Sequence, residues 1–255
     1  MPDPTAALVV VGSEVLSAKV VDENGPWLAR RLRELGVGLR AIVTVPDRFD
    51  DVIEAVDRER RRVGWLFTSG GVGPTHDDLT VPAVARALGR PLARCEPLAR
   101  AIRELHRRHH LGEEAPAAAL RMAEVPEGTE LAGDPDFPTL ICENVVILPG
   151  VPRFFRWQLD RIAGRLAGPP FWLANVFLAI TEDRIAARLD AVARARPEVE
   201  IGSYPRFDDA DHAVKLTVEA RAPEPVEAAL AEILAALPAG AVLRVERVPP
   251  PGRGG

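Results

Sequence analysis

Lysine is nearly missing from this sequence of 255 residues, in which Lys19 and Lys215 are the only two. Almost all of the 32 basic residues are therefore arginine, which we interpret as a genomic base-composition bias. The 37 acidic residues outnumber them and leave a net charge of −5. A general nucleic-acid binder presents an excess of basic residues to the phosphates, so we expect no nucleic-acid partner.

Cysteine and long apolar runs are also scarce. Cys95 and Cys142 match no metal-binding spacing and cannot form a disulfide framework, so we expect them to pack as free thiols in a reducing compartment. The N-terminal sequence lacks the basic start of a secretion signal. The longest apolar stretch, 171–180, reaches about half the length that a membrane span needs. These absences predict a cytoplasmic protein with no membrane partner.

The first 167 residues show a regular alternation of short apolar runs with amphipathic patterns. Strands are predicted at 6–12, 39–45 and 64–69, and helices at 23–36, 49–62 and 81–89. This order is typical of βαβ units and a mainly parallel sheet, so the predicted fold class is α/β. Thr80 fits the N-cap of the third helix. Further along, the pattern predicts helices through 90–125, an edge hairpin that turns at Glu143 and Asn144, and a helix at 152–166.

A change of pattern at "AGPP" (167–170) separates residues 1–167 from a second predicted domain. Beyond it the predicted order is strand, helix, strand, strand, helix, strand over residues 171–248. That order is typical of a small ferredoxin-like α+β domain. Residues 249–255 are predicted to form a frayed tail.

Four loops of the first domain follow predicted strands, at 12–17, 45–48, 70–80 and 148–152. In an open α/β sheet, ligands bind outside the carboxyl ends of the strands, where such loops meet. Each of the four contains glycine or proline, and the first three also contain a carboxylate. We therefore expect one ligand site built from all four loops, and their convergence is stronger evidence than any one motif.

The loop 70–80, "GGVGPTHDDLT", is called the glycine loop below. It is not a Walker loop, because no Lys-Ser/Thr pair follows the glycines, and it is not the GxGxxG fingerprint. Gly70, Gly71 and Gly73 permit a turn whose N–H groups point at an anion. The alternative is a tight turn in which the glycines satisfy geometry alone. The neighbouring loops favour anion binding.

Asp77 and Asp78 stand in the same loop, although carboxylates repel phosphate. A divalent cation such as Mg²⁺ would remove that repulsion, because it takes hard oxygen ligands and bridges to phosphate. The alternative is that the two residues stabilise the N-terminus of the next helix. Glu14 and Asp47 on neighbouring loops are candidate ligands or water activators, or else solvated loop acids.

Asn24 and the histidines also admit simple structural interpretations. Asn24 either reaches the same sheet edge or caps its own helix. His76 is the histidine of the glycine loop and therefore the one of most interest. The cluster "HRRHH" (106–110) lacks the acid of an H-E-x-x-H zinc helix, which favours a solvated helix face. No Ser/His/Asp or Cys/His arrangement follows from local patterns.

Three ordered segments carry a family resemblance: "VVVGSEVLSAKVVDENGPWLARRLRELG", "TSGGVGPTHDDLT" and "ILPGVP". Together they resemble the molybdopterin-binding-like domain (MoCF, MoaB/Mog), above all the CinA N-terminal domain and the molybdopterin-binding-like region of FAD synthase. The second domain resembles the segment that follows in FAD synthase. Ala18 stands where the family usually has glycine, and "DPDFPTLICEN" (134–144) replaces a Gly-Ala-Pro-Gly segment of the CinA branch.

The resemblance implies a three-layer α/β/α first domain that binds nucleotides or pterin phosphates, and a homo-oligomer. In the CinA and FAD synthase branches it implies a pyrophosphatase, dependent on a divalent metal (Mg²⁺, Mn²⁺ or Co²⁺), that cleaves ADP-ribose or FAD and releases AMP. The alternatives are a pterin-binding protein of molybdenum cofactor biosynthesis and a nucleotide-binding module without catalysis.

Motif matching places the functional aspartates of the family on Asp47 and Asp78, with Asp77 beside Asp78 as a second metal ligand. We add Glu14 to the predicted catalytic group. The predicted substrate-binding residues are those of the four loops and the adjoining helix start: Gly12, Ser13, Asn24, Ser69, Gly70, Gly71, Gly73, Pro74, Thr75, Pro149 and Gly150.

Overall fold

The computed structural model describes residues 4–108, 115–206 and 211–250 of the chain. It divides into two compact units, Met1–Gly168 and Pro169–Gly255. Most of the predicted tail at 249–255 lies outside the described residues. Within the described part of the chain, no helix combines the length and the apolar character needed to cross a membrane.

The first unit contains a six-stranded sheet with the order β2-β1-β3-β8-β7-β6. Strands β2, β1, β3 and β8 run parallel, while β7 and β6 are antiparallel additions at one edge. In chain order its elements are β1 (Thr5–Val11), α1 (Ser13–Leu16), α2 (Asn24–Glu34), β2 (Gly38–Val45), α3 (Phe49–Arg60), β3 (Trp65–Ser69), α4 (Thr80–Ala87), β4 (Leu92–Arg94), α5 (Glu96–Arg108), α6 (Ala117–Arg121), β5 (Glu124–Pro126), β6 (Glu130–Ala132), β7 (Thr139–Cys142), β8 (Val145–Leu148) and α7 (Pro152–Ile162).

Helices cover both faces of this sheet, which confirms the predicted three-layer α/β/α fold. Alternate residues of β1 supply the two cores because successive side chains of a strand point to opposite faces. Leu8 and Val10 pack in one core with α2 and α7, which contribute Leu28 and Phe155 among others. Val9 lies in the opposite core with residues of α3 and α4. Burial on both faces explains the unbroken apolar run at the start of the chain.

Residues 90–125 match the prediction of helices only in part. Helices α5 and α6 are present, but β4 and β5 also form, and they pair antiparallel with Leu92 opposite Pro126. All three residues of β4 are exposed, so this strand has no buried alternation that would mark it in the sequence. The edge hairpin is confirmed as β7 and β8, with Glu143 at its turn in a left-handed conformation.

The second unit is an antiparallel four-stranded sheet with the order β10-β11-β9-β12. Its elements are β9 (Trp172–Leu178), α8 (Ala186–Ala195), β10 (Glu200–Pro205), β11 (Val214–Ala220), α9 (Pro223–Ala236) and β12 (Val242–Val248). Alternate residues of β11, beginning with Val214 and Leu216, share one apolar cluster with both helices. Order and pairing are those of the predicted ferredoxin-like domain.

Candidate functional site

A cavity of about 800 Å³ lies at the carboxyl ends of the parallel strands of the first unit. Its volume is within the range of sites that hold small-molecule ligands and cofactors. Residues from all four predicted loops line it. The predicted site residues in the lining are Glu14, Asn24, Asp47, Ser69, Gly70, Gly71, Gly73, Asp77, Asp78, Pro149 and Gly150. The topology therefore brings together segments that are more than 100 residues apart in the sequence.

The other four predicted residues are not part of this lining, and their hydrogen bonds hold the loops in position. The Gly12 N–H donates to the Val45 carbonyl at 3.1 Å, which joins the ends of β1 and β2. The Ser13 N–H donates to Asp47 of the loop 45–48, and the Pro74 carbonyl accepts from Arg121 at 3.0 Å. The Thr75 N–H donates to Asp78 within the glycine loop. We predicted that these four residues contact the ligand, and the cavity lining does not support that prediction.

Asn24 is the first residue of α2, and its side chain crosses to two other loops instead of capping the helix. Its Nδ2 donates to Ser69 Oγ and to the Gly150 carbonyl, both at 2.8 Å. Asn24 is 3% exposed, and its Oδ1 is buried without a donor. The helix start is satisfied by Asp22, whose carboxylate accepts from the N–H groups of Asn24 and Gly25.

The glycine loop turns sharply because Gly70 and Gly71 adopt positive φ angles of 99° and 64°. A Cβ atom at Gly70 would lie 2.3 Å from the Val11 carbonyl oxygen, so only glycine fits there. Thr80 holds the turn: its Oγ1 donates to the Gly70 carbonyl at 2.7 Å and its N–H to the Gly71 carbonyl at 2.9 Å. The predicted N-cap role of Thr80 is therefore wrong, since it is the first residue of α4.

The backbone of the glycine loop offers N–H donors to the cavity. The Gly70 N–H is not one of them, because it donates to the Leu148 carbonyl at 3.2 Å. Among the described residues, the N–H groups of Gly71, Val72 and Gly73 donate no hydrogen bond to the protein, and all three residues line the cavity. Successive free N–H groups in such a turn form an anion-binding nest.

The cavity is strongly acidic. Six carboxylates line it, from Glu14, Asp22, Glu23, Asp47, Asp77 and Asp78, and its described lining contains no Lys, Arg or His. Glu23 is neutralised in part by Arg156, whose Nη2 lies 3.0 Å from Glu23 Oε2. A bare phosphate would be repelled by the remaining charges, whereas a phosphate accompanied by a cation would be attracted.

Asp77 and Asp78 share one hydrogen-bond partner, Thr75. The Thr75 N–H donates to Asp78 Oδ2 at 2.8 Å, and the Thr75 hydroxyl lies 2.6 Å from Asp77 Oδ1 and in contact with Asp78 Oδ2. The hydroxyl, with help from the Asp77 backbone N–H, holds the pKa of Asp77 below its ordinary value. No side chain caps α4, so the interpretation of these aspartates as helix caps is not supported.

The carboxylates of the cavity have the chemistry of a site for a hard divalent cation. In the described part of the chain, however, no three or more His, Cys, Asp or Glu side chains converge on one point as ligands. Mg²⁺ in phosphoryl-transfer sites is characteristically bound by one or two carboxylates together with substrate phosphates and water. The donor set therefore fits a cation that arrives with its ligand's phosphates, and the role of Asp77 and Asp78 as its protein ligands stays a prediction.

The histidines that the structure describes, His76, His106 and His212, are not part of the cavity lining. The His76 side chain is 98% exposed and lies 3.9 Å from Asp77. His106 is in the last turn of α5, while His109 and His110 of the predicted solvated face lie outside the described residues.

The sequence analysis missed part of the lining, notably Asp22, Met122, Phe137 and Phe154. Asp22 precedes a helix start, and a capping signal could have found it. Phe154 lies one position off the buried face of α7, where an apolar residue without a core partner was a usable signal. Phe137 and Met122 lie in irregular chain without periodicity, so no local pattern pointed to them.

Comparisons with known proteins agree with this fold. The family described as "Probable molybdopterin binding domain" matches residues 7–167, and "FAD synthase, middle domain" matches residues 170–246. A protein of Aeropyrum pernix is 32% identical over 247 residues, which cover 92% of this chain and 91% of the relative. A "Probable FAD synthase" of Caenorhabditis briggsae is 30% identical over 258 residues, with 90% of this chain but 49% of the relative covered.

Among solved structures, the protein CinA of unknown function from Thermoplasma acidophilum superposes with a TM-score of 0.59 at 27% identity. The match covers 64% of this chain and 98% of that structure. These findings confirm the resemblance that the three sequence segments predicted.

Proposed function

The chain belongs to the family of probable molybdopterin-binding domains, and from its cavity we propose that it hydrolyses a dinucleotide pyrophosphate of the ADP-ribose or FAD type with a divalent cation. The products would be AMP and the second phosphate ester. One observation carries the proposal: free N–H donors and six carboxylates line the same cavity without a basic side chain. That combination favours a ligand which brings both phosphate and cation.

The nucleotide character of the substrate is supported by relatives named probable FAD synthase, although this chain spans about half of their length. About half of each of these relatives has no counterpart in this chain. We therefore propose a substrate class, the dinucleotide pyrophosphates, of which ADP-ribose and FAD are the first two compounds to test.

In the proposed reaction water attacks one phosphorus of the pyrophosphate, the bridging P–O bond breaks, and the leaving phosphate takes the electron pair. The N–H groups of Gly71, Val72 and Gly73 would bind the phosphate oxygens as their charge grows. Asp47 and Glu14, which both line the cavity, would orient the water and accept its proton. Asp47 Oδ2 already accepts from Ser13, which leaves Oδ1 for this role.

Asp77 and Asp78 would hold the cation. When bound, a divalent cation neutralises charge on the phosphate oxygens and lowers the pKa of coordinated water. The Thr75 hydrogen bonds orient both carboxylates toward one end of the loop. Helix α7 begins at the cavity with Pro152 and lacks a side-chain cap, so its N-terminus adds favourable potential for a phosphate.

The proposal is tested by AMP release from ADP-ribose and from FAD with Mg²⁺, Mn²⁺ or Co²⁺, and with EDTA. We expect metal-dependent AMP that Asp78→Ala abolishes while the fold persists. Glu54→Gln is the matched control, because Glu54 is a helix residue whose side chain is 78% exposed and away from the cavity lining. AMP release that survives EDTA, or an Asp78→Ala variant with full activity, would refute the assignment.

The second candidate function is binding of a pterin phosphate in molybdenum cofactor biosynthesis without pyrophosphate hydrolysis. The observation that favours it is the engagement of both Asp77 and Asp78 by Thr75, which gives these carboxylates a structural task. Thermal stabilisation by a pterin phosphate, together with no AMP from either dinucleotide under any cation, would select this alternative.

A further inference from the structure

The cavity has an apolar side that none of the predicted site residues belongs to. Met122, Phe137 and Phe154 line it, and we call these three residues the aromatic wall. Phe154 is 43% exposed although it is a large apolar residue on the first turn of α7. The glycine loop thus lines the same cavity as a patch of two aromatic rings and a polarisable thioether.

The Phe137 ring packs against two other aromatic rings. Its centroid lies 5.4 Å from that of Phe154 at an interplanar angle of 56°, and 5.8 Å from that of Trp157 at 52°. The guanidinium of Arg161 lies over the Trp157 ring, with its carbon 3.6 Å from the ring centroid. Aromatic pairs at these separations are attractive beyond their buried area, so Phe137 is held in a defined orientation.

The backbone around Phe137 is fixed as well. Gln158 is 4% exposed, and its Nε2 donates to the Pro138 carbonyl at 3.1 Å and to that of Phe137 at 3.4 Å. Thr139 Oγ1 donates in return to the Gln158 carbonyl at 3.4 Å. The segment that carries Phe137 is therefore attached to α7, the helix that carries Phe154. A binding surface built on attached elements is preorganised.

Met122 is connected to the glycine loop from the other direction. It follows α6, and Arg121 at the end of that helix donates to the Pro74 carbonyl of the glycine loop at 3.0 Å. A thioether side chain is flexible and polarisable, so it adapts to the shape of a flat ligand. The aromatic wall and the phosphate end of the cavity are thus parts of one connected structure.

We propose that the aromatic wall is the subsite for the planar heteroaromatic ring of the ligand, with Phe137 and Phe154 as the residues that stack on it. The inference rests on the proposed function, which assigns the phosphates to the glycine loop. The new element is that Phe137 and Phe154 select substrates that carry a ring. The volume of about 800 Å³ accommodates a ring together with a phosphorylated sugar. Asn24 Oδ1, buried without a donor, is available to a hydroxyl or amino group between the two ends.

The test compares phosphate monoesters that differ in the ring. AMP and FMN carry a planar ring, whereas ribose 5-phosphate does not. Dissociation constants are measured by calorimetry with Mn²⁺ for the unaltered chain, Phe137→Leu, Phe154→Leu and the double variant. Phe49→Leu is the matched control, because Phe49 is 39% exposed on α3 and does not line the cavity.

Loss of a stacking partner weakens base binding, so we expect the double variant to bind AMP, FMN or both at least roughly fivefold more weakly. Its affinity for ribose 5-phosphate should not change, and Phe49→Leu should bind all three compounds normally. Phe154→Leu, altered at an exposed position, keeps the test valid if Phe137→Leu fails to fold.

Equal weakening for all three compounds would overturn the proposal, because the phenylalanines would then only support the structure. Unchanged affinities in the folded variants, or no binding of AMP and FMN to the unaltered chain, would overturn it too. Ring-dependent binding of AMP or FMN without any AMP release from dinucleotides would uphold the aromatic wall and refute the hydrolase function. The two proposals can therefore fail separately.

Discussion

Ser13 and Asp47 bond to each other in both directions across two loops that are 34 residues apart. The Ser13 N–H donates to Asp47 Oδ2 at 2.7 Å, and the Asp47 N–H donates to Ser13 Oγ at 3.2 Å. A reciprocal pair of this kind fixes the end of β1 against the end of β2. Asp47 thus combines a structural bond with a free carboxylate oxygen at the cavity, and its two tasks can be separated by substitution.

Asp47→Asn should lose activity while it retains stability, because an amide oxygen still accepts from the Ser13 N–H but carries no charge. Asp47→Ala should lose both, with unfolding easier by about 1 kcal/mol for the missing hydrogen bond. AMP release and urea denaturation of the two variants test this. Full activity in Asp47→Asn would remove Asp47 from the catalytic group and leave it a loop support.

Asn24→Ala should destabilise the first unit by about 1–3 kcal/mol, since Ser69 Oγ and the Gly150 carbonyl lose a buried donor. It should also weaken AMP binding, because the two loops it joins line the cavity. Asn144→Ala is the control: Asn144 Nδ2 donates to the carbonyls of Arg60 and Val63 at 2.8 and 3.0 Å, outside the cavity lining. Asn144→Ala should lower stability and leave the affinity for AMP unchanged. A loss of AMP affinity in Asn144→Ala similar to that in Asn24→Ala would contradict the role given to Asn24.

Ala18→Gly should stabilise the chain. Ala18 has a φ of 57°, the left-handed region in which a side chain costs about 1 kcal/mol or more. The Ala18 backbone is therefore strained, and glycine relieves that strain because it has no Cβ atom. Denaturation midpoints should rise for Ala18→Gly and fall for Ala231→Gly, an exposed position inside α9 where glycine is unfavourable. A lower midpoint for Ala18→Gly would show that the turn depends on the alanine.

The carboxylate of Asp211 in the second unit should titrate near pH 2. Hydrogen bonds from Arg244, then from His212, lower its pKa from 3.8 to about 2. Because the native pKa is depressed, the stabilisation is complete above about pH 4 and is lost as the pH falls through the native value. Carbon-detected NMR titration of the carboxyl groups measures this pKa directly, and Arg244→Ala should return it toward 3.8. A native pKa near 4 would mean that the pair does not form in solution.

The sheet and its edge could be predicted because they rest on signals that a single segment carries. The apolar run of β1 and the glycines after β3 identify a buried strand and a turn without knowledge of the rest of the chain. Phe137 could not be found this way, because its place at the cavity depends on Gln158, 21 residues later. Thr80 shows a subtler failure: a hydroxyl at a helix start suggests a cap, yet its acceptor is the carbonyl of Gly70, ten residues earlier.

The central claim is that the N–H groups and the aspartates of the glycine loop act together on one phosphate and its cation. Electron paramagnetic resonance of Mn²⁺, titrated with the chain in the absence and presence of saturating AMP, tests it most directly. We expect AMP to raise the affinity for Mn²⁺ by roughly tenfold, with the reciprocal effect of Mn²⁺ on AMP, and Asp78→Asn to remove the coupling. Equal Mn²⁺ affinity with and without AMP, or coupling that survives in Asp78→Asn, would contradict the account.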